Sequence, residues 1–158
     1  MPTMSALTFE PPSEFVEEEL TLSWRVPNVP GLKEPRMLQT QLPIRPNLVV
    51  HRSKVETNDG INNVAARICA QLLSSVEGIS AIEPSQLEFR DGVDGVLLEF
   101  SFPAAGYQVV QMHALRLDGD MLTSLTLCTE QSRFSSQERE RYRKSLASAS
   151  LNGAIAKA

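Results

Sequence analysis

The stretch from Arg90 to Gln131, RDGVDGVLLEFSFPAAGYQVVQMHALRLDGDMLTSLTLCTEQ, is rich in aliphatic, aromatic and β-branched residues and is broken only at PAAG and DGD. It predicts three strands, VDGVLLEFSF, GYQVVQMHALRL and DMLTSLTLCTE, joined as an antiparallel meander. SQLEFRDG predicts a further strand and a turn, and NLVVHRSKV, from Asn47 to Val55, another strand. Between these two the period changes. Ile61, Val64, Ile68, Leu72 and Val76 recur at spacings of three and four, which places one apolar stripe on a helix running to about Glu77. TNDG offers capping residues before that helix, and Gly78 a residue to close it. SSQERERYRKSLASAS predicts a second helix: Ser135 and Glu138 have the capping-box spacing, with Glu138 and Glu140 early and Arg143 and Lys144 late, as the helix dipole favours.

The first third of the chain reads less evenly. LTFEPPSEF suggests a short strand and a Pro-Pro turn, and ELTLSWRVP, Glu19 to Pro27, a strand that stops at proline. NVPGLKEP is a loop, RMLQTQLP a strand closed by Pro43, and the acidic run EFVEEE a solvated segment. The order is strands, helix, a run of strands, helix. That pattern is α+β, a mostly antiparallel twisted sheet packed with two main helices, in a single domain over residues 1–150 with a frayed tail at 151–158.

Composition narrows the function. The 158 residues are 42% hydrophobic and 22% charged with a formal charge of −4, which speaks against nucleic acid as a general partner. Cys69 and Cys128 stand apart from any CxxC pair and read as reduced core thiols. The N-terminus lacks a basic stretch followed by an apolar one, and no apolar run approaches the ~18 residues of a membrane span. The expectation is a cytoplasmic protein with no stable membrane insertion. HExxH, GxSxG, a spaced Cys/His set and a glycine-rich phosphate loop are all missing, so neither enzymatic activity, metal nor cofactor is expected. His51, His113 and Glu99 invite a metal or acid–base site, but two histidines on a sheet are more often ordinary polar residues.

Alternation sorts the strand residues. Val109, Gln111 and His113 share one face of their strand, with Val110, Met112 and Ala114 on the other. Val49 and His51 share a face, as do Leu97, Glu99 and Ser101, opposed to Val96, Leu98, Phe100 and Phe102. One sheet face is strongly apolar and suits packing on the Ile61–Val76 helix. The other mixes apolar and polar groups and is either solvated or a binding face.

Four stretches resemble the DcrB-like family, whose fold was first described for the PsbP photosystem subunit. They are FEPPSEFVEEELTLSWRVP, PNLVVHRSKV, VAARICAQLLSSVEG and the meander GVLLEFSF, GYQVVQMHAL and LTSLTLCT, including Gln111. The likeness spans about Leu7 to Leu146 and is nearest to the Eag chaperones, effector-associated partners of type VI secretion systems; NVPGLKEPRMLQ is an insertion relative to that pattern. The resemblance implies a homodimer that holds the apolar, transmembrane-like N-terminal segment of a secreted effector and aids its loading. A groove of Val49, Leu97 and Val109 with His51, Gln111 and His113 would cover apolar surface and offer donors to helix carbonyls. By resemblance the surface extends to Thr21, Ser23 and Ile68. The alternative is a small-ligand or lipid-binding domain using a pocket between sheet and helix.

Overall fold

The computed structural model describes residues 7–8, 10, 16–17, 23–25, 46–55, 60–104 and 106–151. Its elements are β1 (Leu7–Thr8), β2 (Val16–Glu17), β3 (Ser23–Arg25), β4 (Asn47–Lys54), α1 (Ile61–Ser75), β5 (Glu83–Glu88), β6 (Asp94–Ala104), β7 (Tyr107–Asp118), β8 (Met121–Glu130), a 3₁₀ turn (Gln131–Arg133), α2 (Ser136–Ala147) and β9 (Ser150–Leu151). The strands form an antiparallel sheet in the order β2-β3-β4-β8-β7-β6-β5, and β1 pairs separately with β9. The five long strands β4–β8 and the two helices make an α+β fold. The expected strand RMLQTQLP, Thr21 and the stretch 152–158 lie outside the described residues.

The meander forms because its alternation supplies apolar side chains to both faces of the sheet. On one face Leu48, Val50, Leu97, Met112, Ala114, Leu125 and Leu127 pack with Tyr142 and Leu146 of α2 and with Leu87 and Phe89. On the other, Val96, Leu98, Leu115 and Leu122 pack with Val64 and Ala65 of α1, and Ile61, Ile68 and Cys69 close in around them. The helices therefore sandwich the sheet, and β6 and β7, central to both cores, are almost free of exposed residues along their middles.

The two hairpin turns of the meander carry glycine in the left-handed region, Gly106 (φ 83°) and Gly119 (φ 63°), where a side chain would be strained. Gly95 is needed for a different reason. A Cβ there would sit 2.3 Å from the Leu115 carbonyl oxygen and 2.4 Å from the Phe89 ring, so only glycine lets β6 approach β7 beneath that ring.

The caps differ from one helix to the other. Ser135 accepts the Glu138 amide at 3.1 Å, as the expected capping box requires, and the Glu138 carboxylate pairs with Arg141 at 2.7 Å. At α1 the N-cap is Gly60, which has no side chain to contribute, so the expected polar cap is not formed by that residue. α1 owes its place to the packing of Val64 and Ala65. The helix ends at Ser75 with Val76 as its C-cap, short of the expected end at Glu77, so Gly78 (φ 73°) lies two residues past the cap and not at the expected closing position.

Two further features depart from the sequence reading. The acidic run EFVEEE contributes β2, paired with β3 through Val16↔Arg25 and Glu17↔Trp24. Leu151 belongs to the fold, since it pairs with Leu7 and its amide donates to Asp91. What holds this end is a charge cluster. Arg116 is fully buried and spends its guanidinium on Asp118 (2.9 and 2.9 Å), Asp91 (3.1 and 2.8 Å) and the Ala149 carbonyl (2.7 Å), while its plane lies 5.0 Å from the Phe89 ring centroid. Burial alone would raise the Asp91 pKa, but the Arg116 bonds and the Leu151 amide outweigh it and hold the carboxyl below its usual range.

An uncovered sheet face beside the first helix

Register decides which strand faces coincide. Opposite residues are Phe100 and Gln111, Leu98 and His113, Gln111 and Cys128, His113 and Thr126, Val49 and Thr126, His51 and Ser124. Since directly opposed residues share a face, Val49, His51, Val109, Gln111 and His113 all stand on the same face as Val96, Leu98, Phe100 and Phe102. That is the face that carries α1. Ser23 is the register partner of Val49 in the β3–β4 pair. Helix and mixed surface thus lie side by side on one sheet face, where the sequence suggested opposite faces. α1 covers the end marked by Val96, Leu98, Leu115 and Leu122. Among the described residues no helix covers the neighbouring area of Val49, His51, Gln111, His113, Ser124, Thr126 and Cys128.

Leu97 belongs elsewhere. It is 2% exposed and packed in the core beneath α2, on the opposite face from Gln111. Alternation assigned it correctly to the Glu99 and Ser101 side of β6, but alternation within one strand says nothing about which side of the next strand it meets. Val109 lies on the expected face yet is also 2% exposed; it supports the surface and does not present itself. Ile68 is half-buried in the α1 core and also lines a cleft of about 490 Å³ with Val55, Val64, Leu122 and the α1 residues Arg67, Ala70, Gln71 and Ser74. That cleft runs along the flank of α1 at the β4–β8 end of the same face. Val49 is the side chain that projects, 44% exposed, and His51 is exposed beside it.

The middle of the surface is a short chain of polar contacts. His113 Nε2 lies 2.7 Å from Gln111 Oε1, and Gln111 Nε2 donates to Cys128 Sγ at 3.8 Å. The His113 ring centroid is 5.2 Å from that of Phe100, which in turn is 6.1 Å from Phe102. Burial disfavours the imidazolium and lowers the His113 pKa to about 4, so the ring is neutral at physiological pH. Burial also raises the Cys128 thiol, against a smaller opposing effect of the Gln111 bond, and it stays protonated. Cys69, on α1, is a second free thiol, likewise raised by burial.

The metal and acid–base combination weighed from sequence does not assemble. Glu99 stands on the α2 face and pairs with Arg139 at 3.1 Å. His51 and His113 flank β8 from either side, opposite Ser124 and Thr126, which sets their Cα atoms about 12 Å apart by the usual strand spacing and rise. Among the described residues no group of three or more His, Cys, Asp or Glu side chains is placed to hold a metal ion, and no helix is long and apolar enough to cross a membrane.

What the arrangement can do is bind. It offers an apolar floor and border (Phe100, Val109, Val49), hydroxyls at Ser124 and Thr126, and a neutral amide–imidazole pair, without a formal charge at its centre. Sequence reasoning found Val49, His51, Gln111 and His113. It missed Ser124, Thr126 and Cys128, although their alternation in LTSLTLC with Leu122, Leu125 and Leu127 was there to be read.

No family model matches the chain, and no curated protein matches it. Solved structures do share its fold. LpqN of Mycobacterium tuberculosis, involved in cell envelope biogenesis, superimposes with a TM-score of 0.64 at 13% identity over 96% of this chain and 86% of that one. PA94 of Pseudomonas aeruginosa, a protein of unknown function, superimposes with a TM-score of 0.54 at 11% identity over 82% of this chain and 72% of that one. At these identities the likeness is one of fold, and the chain shares with both an α+β architecture.

Proposed function

We propose that this protein is a chaperone-like adaptor that shields an apolar, transmembrane-like segment of a secreted effector and aids its loading, in the manner of the DcrB-like Eag chaperones of type VI secretion systems. The observation that carries the reading is the half-covered sheet face: α1 takes one end, and beside it lies an uncharged surface in which apolar groups surround the Gln111–His113 pair. An apolar helix in water aggregates unless its surface is covered. A surface that is apolar at its border and able to hydrogen-bond at its centre suits such a helix, whose small residues expose backbone carbonyls. Ser23 and Ile68 mark the two margins of this surface. No catalytic step and no cofactor enter the reading, which places the protein in the cytoplasm with the segment as its partner and a second copy of itself as the other wall.

The test is coexpression with the apolar segment of a neighbouring effector, followed by size-exclusion chromatography with light scattering. A soluble complex with two copies of this chain per segment supports the proposal. The discriminating variants are Val49→Glu and Gln111→Glu, which act on the surface; Val109 is buried and is unsuitable. Retention of the segment by both variants would remove this face from consideration.

The cleft of about 490 Å³ beside α1 favours a second reading, a small-ligand or lipid site, because its volume lies within the usual range of ligand pockets and its floor is apolar. A defined small molecule copurifying with the protein, and lost in Ile68→Trp, would support that reading over the first.

A further inference from the structure

We infer that Arg143 is a gate on the β5 edge of the sheet: by holding a backbone carbonyl there, it keeps β5 from pairing with the β5 edge of a second copy of this chain. The inference concerns a different part of the molecule from the α1-side surface and does not depend on what that surface binds.

β5 is the last strand of the seven-stranded order, and among the described residues no strand pairs with its outer side. Such an edge offers a row of free N–H and C=O groups to any extended chain that meets it. The register shows which groups these are. The Phe89 amide donates to the Val93 carbonyl at 2.8 Å, so that opposed pair is hydrogen-bonded. Bonded and non-bonded pairs alternate along an antiparallel ladder. Leu87, Ser85 and Glu83 therefore bond to Gly95, Leu97 and Glu99 of β6, whereas Glu88, Gln86 and Pro84 turn their backbone groups outward. Arg90 continues that outward row. All of it but Glu88 is closed. Pro84 has no N–H to give. The Gln86 carbonyl accepts from Arg143 Nη2 at 2.7 Å, while Arg143 Nη1 donates to the Ser85 hydroxyl at 3.2 Å. The Arg90 amide donates to the Ala147 carbonyl at 2.7 Å. Arg143 and Ala147 stand one turn apart on α2, so the helix that covers this sheet face also closes its rim.

Without the gate the edge is self-complementary. About a two-fold axis at Gln86, two β5 edges pair antiparallel with Gln86 opposite Gln86 and Pro84 opposite Glu88. The central bonds run from each Gln86 amide to the other copy's Gln86 carbonyl, and those carbonyls are the groups that Arg143 holds. A guanidinium 2.7 Å from an outward carbonyl occupies the place of an incoming amide. The flanking Glu88 amides can reach the Pro84 carbonyls, but no bond returns from proline. In a solution of the pure protein the strand that meets this edge is that of a second copy, and two-fold pairing closes after one addition.

The experiment compares the unaltered protein with Arg143→Ala, and with Arg143→Ala combined with Pro84→Thr, by light scattering over a range of matched concentrations. Freeing the two central bonds predicts self-association roughly 5- to 100-fold tighter in Arg143→Ala. It is expected to tighten further in the double variant, which restores the missing N–H. The readout is a doubling of mass relative to the unaltered protein, whatever that protein's own oligomeric state. Arg143→Lys, which keeps a donor within reach of the carbonyl, and Lys144→Ala, at an exposed neighbour, are expected to behave as the unaltered protein does. An unchanged mass in the double variant at its highest soluble concentration overturns the inference. So does association that leaves the Gln86 and Glu88 amides unprotected from hydrogen exchange, since it then lies elsewhere. Because Arg143 also helps to seat α2, exchange is measured independently on the unaltered protein by NMR. The Gln86 and Glu88 amides are expected to exchange fast at every concentration, and those of Ser85 and Leu87 slowly. Protection of Gln86 that grows with concentration means that the edge pairs with Arg143 in place, and refutes the gate whatever the variants do.

Discussion

Removal of the Arg116 guanidinium is expected to be among the most damaging single changes outside the apolar core. The side chain is fully buried and its five N–H groups are matched by four carboxylate oxygens and the Ala149 carbonyl. Asp91 is equally buried, whereas Asp118 keeps 17% of its side-chain surface. Arg116→Met keeps much of the volume and leaves Asp91 with no cation in a desolvated site. Breaking a buried pair from one side costs about 3–5 kcal/mol. With a urea dependence of about 1–3 kcal/mol per molar, the unfolding midpoint falls by on the order of 2 M. Adding Asp91→Asn to Arg116→Met should recover part of the loss, because it removes the uncompensated charge while the amide oxygen can still accept from the Leu151 or the Val93 amide, which bond different oxygens of Asp91. The pH dependence has a definite sign. In the unaltered protein the Asp91 pKa is depressed, so its contribution is present above the unfolded value near 4 and is lost as pH falls through the folded value. In Arg116→Met the same carboxyl titrates upward, so acidification should narrow the gap between the two proteins. A midpoint shift under about 0.5 M, or a gap that widens at low pH, would refute the reasoning.

Other outcomes follow from the same structure. His113 has a folded pKa of about 4 against an ordinary 6.5, so the unfolded chain binds more protons between those values; stability should decline as pH falls from about 6.5 toward 4, and His113→Phe should flatten that limb in thermal melts. Gly95→Ala drives a Cβ into the Leu115 carbonyl and the Phe89 ring and should lower stability by roughly 2 kcal/mol or more, read by urea titration; a neutral effect would mean the β6–β7 spacing is looser than described. Leu98→Ala opens the core under α1 at a fully buried position and should cost about 2–5 kcal/mol, while Val49→Glu, on the exposed surface, should leave the melting temperature nearly unchanged.

Much of the fold was legible because it rests on local periodicity. The three meander strands, β4, β5 and both helices follow directly from spacings of two and of three to four, and Gly106 and Gly119 fall where the turns require them. Two kinds of information were not local. Register is one: Leu97 and Gln111 each sit on the correct side of their own strand, but only the pairing of Phe100 with Gln111 shows that those sides are opposite. Long-range polar matching is the other. Arg116, Asp91 and Leu151 look like a strand-end arginine, a turn aspartate and a tail residue in the sequence, and their joint burial depends on contacts across as many as 60 positions. The candidate surface was half legible. Gln111, His113, Val49 and His51 were found as polar or exposed interruptions of apolar strands, whereas the place of α1 beside them could not be had without the register.

The central claim is that the uncovered sheet face beside α1 takes up an apolar peptide segment. Its most direct test is residue-resolved NMR of the ¹⁵N,¹³C-labelled protein titrated with a synthetic apolar peptide of about 20 residues solubilised by terminal lysines. The account predicts shift changes concentrated at Val49, His51, Gln111, His113, Ser124 and Thr126, with Leu48, Leu97 and Met112 beneath α2 unmoved. Changes confined to Val55, Ile68 and Leu122 in the cleft, or spread over the α2 face, would contradict it.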